Sequence, residues 1–200
     1  MRLTIVRHAE ALPKEEDPAR GLSPRGREQA RSTAAKLAEL GAAPAQILHS
    51  DKARARQTAE QIAEALGARA RLRQVDWLSP EAPVQPAVER IAAAPDELML
   101  VGHLPFVDRL LGELLQPVAR IPDTPPRRAT RRRGTEVDAR RGEPRLRSTS
   151  AQLLDSHDDL ASRISVGGTS RWTGSFPAAG AAVLRSEDGA WALSQFVTPD

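Results

Sequence analysis

Two imidazoles and several guanidiniums fall where short apolar runs stop. Arg7-His8 follow Leu3-Thr4-Ile5-Val6, and His103 follows the run in "DELMLVGH". Arg54 lies just past Ser50 in "HSDKARARQTAE", behind the run "AQIL", and Arg20 sits in "ARGLSPRG". Singly, each has an ordinary reading. A lone histidine at a strand end is more often capped or exposed than catalytic. Arg7 alone reads as a salt-bridge residue, Arg54 as a solvated helical charge beside Lys52 and Arg56, and Gly102-His103 as a turn. Together they repel one another unless they share an anion. Guanidinium forks beside imidazoles are donors suited to the oxygens of an oxyanion.

Such a cluster needs elements that bring its members to one place. Residues 2–7 read as a buried strand, short, apolar and rich in β-branched side chains. Residues 9–22 are polar, contain Pro13 and Pro18, and read as a loop. Ser23 then caps a helix that opens with Pro24, repeats Ala30, Ala34, Leu37 and Leu40 on one face, and stops at Gly41. A second strand spans 45–49. A second helix follows, capped by Ser50 or Asp51, with an inner stripe of Ala55, Ala59, Ile62 and Leu66 and a stop at Gly67. Residues 70–75 can form a third strand. The spacing predicts a helix near 84–93, a buried strand over 97–102 and a helix over about 105–115. "AAVLRSEDGAWALSQFV" reads as strand, turn and strand.

This β-α alternation followed by two strands predicts a three-layer α/β/α sandwich with a mainly parallel sheet. In such sheets ligands bind beyond the carboxyl ends of the strands. Arg7-His8, the Ser50–Arg54 segment and His103 each follow a strand, so the topology delivers them to one edge.

Composition narrows the class. The chain has 200 residues, 40% of them hydrophobic and only 3% aromatic, which suits a single soluble domain with an aliphatic core. There is no cysteine, so disulfides, thiolate catalysis and cysteine-held metals are excluded. No apolar run approaches a membrane span, and the first residues lack a secretory pattern, so a cytoplasmic protein is expected. Between Arg120 and Arg147 lie ten Arg against four acids, a local net of +6 within a chain of +3. The stretch 117–170 is Arg- and Pro-rich with little apolar periodicity. It reads as an exposed, disordered insertion in a single domain spanning 1–200, with one short helix possible over 151–166. Arg131–Arg133 lack interleaved aromatics and read as a solvated loop rather than a nucleic-acid site. His49 reads as a strand-end residue, His157 as solvent-exposed, and Trp77 and Trp191 as core or interface residues.

"RHAE", "LSPRGREQA", "HSDKARARQTAE" and "VGHLP" resemble four segments of the histidine phosphatase superfamily, also called phosphoglycerate mutase-like. The likeness covers about 1–115, and 175–200 resembles the family's closing strands. It implies a metal-independent hydrolase with no cofactor, in which neutral His8 attacks a phosphoryl group to form phosphohistidine, which water then hydrolyses. Arg7 and Arg54 would hold the non-bridging oxygens. His103 would donate to them, best when protonated, and Arg20 would stand near the phosphate.

The acids decide between substrates. Many small-molecule members carry a general-acid carboxylate in a longer segment after the second helix. Here that stretch is short, "VDWLSPEAPVQP", with only Asp76 and Glu81. An alkoxide leaving group needs a proton donor, whereas the P–N bond of phosphohistidine is labile without one. The short segment also looks like the bacterial phosphohistidine phosphatase branch (SixA-like). The resulting expectation is a monomeric phosphatase of protein phosphohistidine, acting on a histidine phosphotransfer domain. The alternatives are a small-molecule phosphomonoesterase using Glu81 as acid, and a nucleic-acid-binding module with a vestigial pocket.

Overall fold

The structure is a computed structural model that describes residues 1–67, 71–94, 96–116, 174–187 and 189–200. Ten elements follow one another: β1 (Arg2–Arg7), α1 (Pro24–Glu39), β2 (Gln46–His49), α2 (Ala53–Ala65), β3 (Arg71–Gln74), α3 (Gln85–Ala92), β4 (Glu97–Gly102), α4 (Phe106–Leu114), β5 (Ala181–Glu187) and β6 (Ala190–Val197). The strands form one six-stranded sheet in the order β3-β2-β4-β1-β5-β6. The first four run parallel, and β5 and β6 close the edge antiparallel. The expected α/β sandwich is therefore present. The expected insertion at 117–170, with its short helix and His157, lies outside the described residues.

The sheet is apolar on both faces, as central parallel strands must be. Alternate residues divide between two cores. Val6, Ile47, Met99, Val101 and Val183 pack with Ala34, Leu37, Ala59 and Ile62 of α1 and α2. Leu3, Ile5, Leu98, Leu100 and Leu184 pack with Ile91, Leu110, Leu111 and Leu114 of α3 and α4. With few aromatics available, small side chains such as Ala30, Ala34, Ala55 and Ala59 let the helices lie close. Trp77 and Trp191 both pack partly buried against the second core, as expected.

The helix signals are mostly realised. Ser23 caps α1, its Oγ accepting from the Gly26 N–H at 2.9 Å, with Pro24 in the first turn. Gly41 and Gly67 end α1 and α2 with φ of 66° and 83°, a region that penalises a Cβ. The cap of α2 is a correction. Lys52 holds the cap position and no side chain caps it. The Ser50 hydroxyl lies 2.5 Å from His103 Nε2, with the Lys52 N–H only weakly within reach at 3.4 Å. Asp51 instead pairs with Lys52.

Candidate active site

Sheet order explains why the cluster forms. β2, β4 and β1 are adjacent and parallel, so their carboxyl ends lie side by side. Arg7 pairs in register with Gly102, and His49 with Val101. The ladder continues one step beyond the strands: the His8 N–H donates to the Gly102 carbonyl at 3.0 Å, and the Ser50 N–H to the Val101 carbonyl at 3.3 Å. His8, Ser50 and His103 therefore emerge from three neighbouring strands at one level.

His8 is held in one tautomer. Its Nδ1 lies 2.7 Å from the Ala9 carbonyl oxygen, which only accepts, so Nδ1 carries the proton. Nε2 keeps its lone pair and accepts from Arg54 Nε–H at 3.3 Å. Burial pushes the His8 pKa down to about 4, and the Arg54, Arg7 and Arg20 charges add to the effect against the Ala9 hydrogen bond. His8 is thus a neutral imidazole at neutral pH with a directed lone pair.

His103 is 1% exposed, its ring 4.8 Å from that of His8 and tilted 53° to it. Burial, then the neighbouring His8 and Arg54, push its pKa down to about 3. The protonated form, in which His103 would donate best, is disfavoured here: the cation would face the Arg54 guanidinium and Lys52 in a desolvated place. A neutral ring still carries one N–H donor.

The imidazole titrations test this electrostatic picture. Followed by NMR, His8 should titrate with a midpoint near 4, against the ordinary 6.5. Because the unfolded chain binds these protons more readily, their contribution to stability is complete above about pH 6.5 and declines as the pH falls toward 4. A midpoint at 6.5 or above would contradict the stated environment.

The guanidiniums are anchored from behind. Arg7 Nη1–H donates to the Phe176 carbonyl at 2.6 Å, while the Phe176 N–H and the Ser175 hydroxyl donate to Asp108 at 3.1 and 3.0 Å. Burial lowers the Arg7 pKa and the Asp108 charge opposes the shift. Arg54 stands in the first turn of α2, its pKa lowered by burial and by Arg20. Thr58, fully buried, ties its turn to the loop after His8: its hydroxyl donates to the Arg54 carbonyl at 2.7 Å and accepts the Ala9 N–H at 3.0 Å. The loop after His8 is fixed further by Gly26, where a Cβ would come within 2.0 Å of the Glu10 carbonyl oxygen.

Arg20 is exposed, with φ of 51°, an uncommon conformation for a residue bearing a Cβ. Its charge acts on both His8 and Arg54, so the structure brings it to the site's border. Arg7, His8, Arg54 and His103 are brought together as expected. Glu81 and Asp76 are not joined to them: both are exposed, and among the described residues no hydrogen bond or ion pair links either carboxylate to the four. His49 is the buried strand-end residue expected of it, its Nδ1 donating to the Ser50 carbonyl at 2.8 Å. The supporting Ser50, Thr58 and Asp108 were not singled out as site residues. Ser50 and Thr58 lie inside the quoted third segment, but Asp108 carries no motif. Among the described residues no group of three or more His, Asp or Glu is disposed to hold a metal ion. None of the described helices is long and apolar enough to cross a membrane.

Comparison with known proteins agrees with this geometry. Residues 3–80 match the family model described as the histidine phosphatase superfamily (branch 1). No curated protein matches the chain in sequence. A structure of the protein histidine phosphatase SixA complexed with tungstate is 20% identical, with a TM-score of 0.63, covering 100% of this chain and 97% of that one. A structure from Agrobacterium tumefaciens, assigned by its description to the SixA phosphohistidine phosphatases, is 24% identical, with a TM-score of 0.62 and coverage of 100% and 98%. A mycobacterial glucosyl-3-phosphoglycerate phosphatase is 18% identical, with a TM-score of 0.55 and 97% of each chain covered. The matched segment is similar to the histidine phosphatase superfamily, and the fold is the one these phosphatase structures share. In fold the chain resembles the SixA structures, in keeping with the expected likeness.

Proposed function

We propose that this protein hydrolyses phosphohistidine on a protein, such as a histidine phosphotransfer domain, through a covalent intermediate on His8. The observation that carries the reading is the His8 tautomer: Nδ1–H is engaged by a backbone carbonyl, and the unprotonated Nε2 has a lone pair held only by a long hydrogen bond from Arg54, which a phosphoryl group would displace. The Nε2 lone pair forms a P–N bond as the substrate's own P–N bond breaks. Arg7, Arg54 and an N–H of His103 take the non-bridging oxygens, with Arg20 adding charge at the border. The buried Arg7 Nε and His103 Nδ1, which have no hydrogen-bond partner among the described residues, are polar groups an oxyanion would satisfy. Water then attacks the phosphorus of phospho-His8 and releases inorganic phosphate.

Substrate choice rests on the leaving group. With Glu81 and Asp76 exposed and unconnected to His8, ester cleavage must expel a poorly protonated alkoxide. An imidazole leaves without that help. The test is kcat/KM for a phosphohistidine protein, nitrophenyl phosphate and an alkyl phosphate. The expected order is phosphohistidine first, aryl ester second and alkyl ester last, with Glu81→Gln leaving the first nearly unchanged, because that exposed carboxylate has no hydrogen bond or ion pair to the four site residues among the described residues. An alkyl phosphate that comes out best and collapses in Glu81→Gln would make this an acid-assisted small-molecule phosphatase.

A further inference from the structure

A recess of about 580 Å³ opens at the carboxyl edge of the sheet, where β2 and β3 end. Asp51, Arg73, Asp76, Trp77 and Arg90 are among its walls. Its charges balance, two carboxylates against two guanidiniums, and Arg90 lies 5.5 Å over the Trp77 ring. Asp51 differs from the rest of this wall. It directly follows Ser50, whose hydroxyl contacts His103, and its charge acts on both His103 and Arg54. Its carboxylate pairs with Lys52 at 2.9 Å yet stays 47% exposed.

Lys52 offsets the Asp51 charge only in part, because the pair is about half open to solvent, and the carboxylate's remaining lone pairs face outward as hydrogen-bond acceptors, which suit a donor rather than a phosphoryl oxygen. The carboxylate's presence is favourable if the other half of the substrate is cationic. Phosphohistidine provides this: with its second ring nitrogen protonated, the phosphoimidazole ring carries positive charge and an N–H donor. Resting on the function proposed above, we propose that Asp51 is a specificity residue that accepts a hydrogen bond from the distal ring N–H of the substrate's phosphoimidazole, with the recess receiving the ring and its adjoining chain. In the transfer step, His8 Nε2 forms its bond to phosphorus, and the electron pair of the broken P–N bond stays on the substrate ring nitrogen. The distal proton never moves, so the ring departs as neutral imidazole. The carboxylate keeps that proton in place and discriminates against esters, whose leaving groups become anionic.

The test compares wild type and Asp51→Asn, as full-length protein, on three substrates: a phosphorylated histidine phosphotransfer domain, phosphoimidazole and nitrophenyl phosphate. The ratio of kcat/KM for phosphoimidazole to that for nitrophenyl phosphate should fall about tenfold in the variant, the size expected for one charge-assisted hydrogen bond at a partly exposed position. The ratio for the phosphorylated protein should fall with it. An unchanged ratio overturns the assignment, leaving Asp51 as a partner of Lys52 alone. A fall confined to the protein substrate also overturns it, because Asp51 would then meet the protein rather than the leaving group. If wild type turns over neither N-phosphorylated substrate, the proposed function itself fails, and the subsite with it.

Discussion

His8→Ala is expected to lose at least about 10⁴-fold in kcat, because no neighbouring group can replace the covalent step. His103 is the only other imidazole at the site among the described residues, and its Nε2 already meets the Ser50 hydroxyl. The serine itself is fully buried against that ring, closed off from an incoming phosphoryl group. His8→Ala should remain folded, since the strand that precedes it is held by Leu3, Ile5 and Val6 rather than by the imidazole. Steady-state assays with a phosphohistidine protein, beside a thermal melt, check both statements. Substantial turnover in a folded variant would remove His8 from its role.

Arg54→Ala comes next, with an expected loss of about 10²–10³-fold, the usual cost of removing one preorganised donor from a transition state's developing charge. The residue has a double place here. Its Nε–H touches His8 Nε2, and its remaining N–H groups, unbonded among the described residues, would grip the phosphoryl oxygens. Arg54→Lys should recover only part of the loss, because an ammonium presents no planar fork. A lysine variant as active as wild type would reduce Arg54 to a general positive charge. The same assays would then leave its hydrogen bond to His8 without consequence.

Much of the architecture was legible because it rests on local signals. Leu3–Val6 and Leu98–Val101 are mainly apolar runs long enough for buried strands; the first stops at Arg7 and the second, one glycine further on, at His103, and the structure places both in the site. Pro24 after Ser23 and Gly after the apolar stripes marked the ends of α1 and α2. Four of the site residues followed from their places just past strand ends. What was not legible depends on partners distant in the chain. Ser50 looked like a helix cap, and became a partner of His103 only through the parallel register of β2 with β4. Thr58 falls outside the expected inner stripe of α2 and gains its place only when the loop after His8 is seen lying on it. Asp108 supports Arg7 through Phe176, 68 residues away, a relation no spacing reveals. The protonation state of His103 was not legible either, because a residue list carries no desolvation; the close packing of the two rings beside Arg54 supplies it.

Everything proposed for the chemistry depends on one bond, between phosphorus and His8 Nε2. Rapid mixing of the enzyme with substrate labelled in its phosphoryl group, followed by a denaturing quench, would show that bond directly. The expected result is a labelled protein whose phosphate is lost in acid and kept in base, as a phosphoramidate requires, with the label mapping to His8 by mass spectrometry. Burst kinetics with the same stoichiometry should accompany it. A label that is stable in acid, one that maps elsewhere, or turnover that proceeds at full rate with no label under any quench would contradict the account.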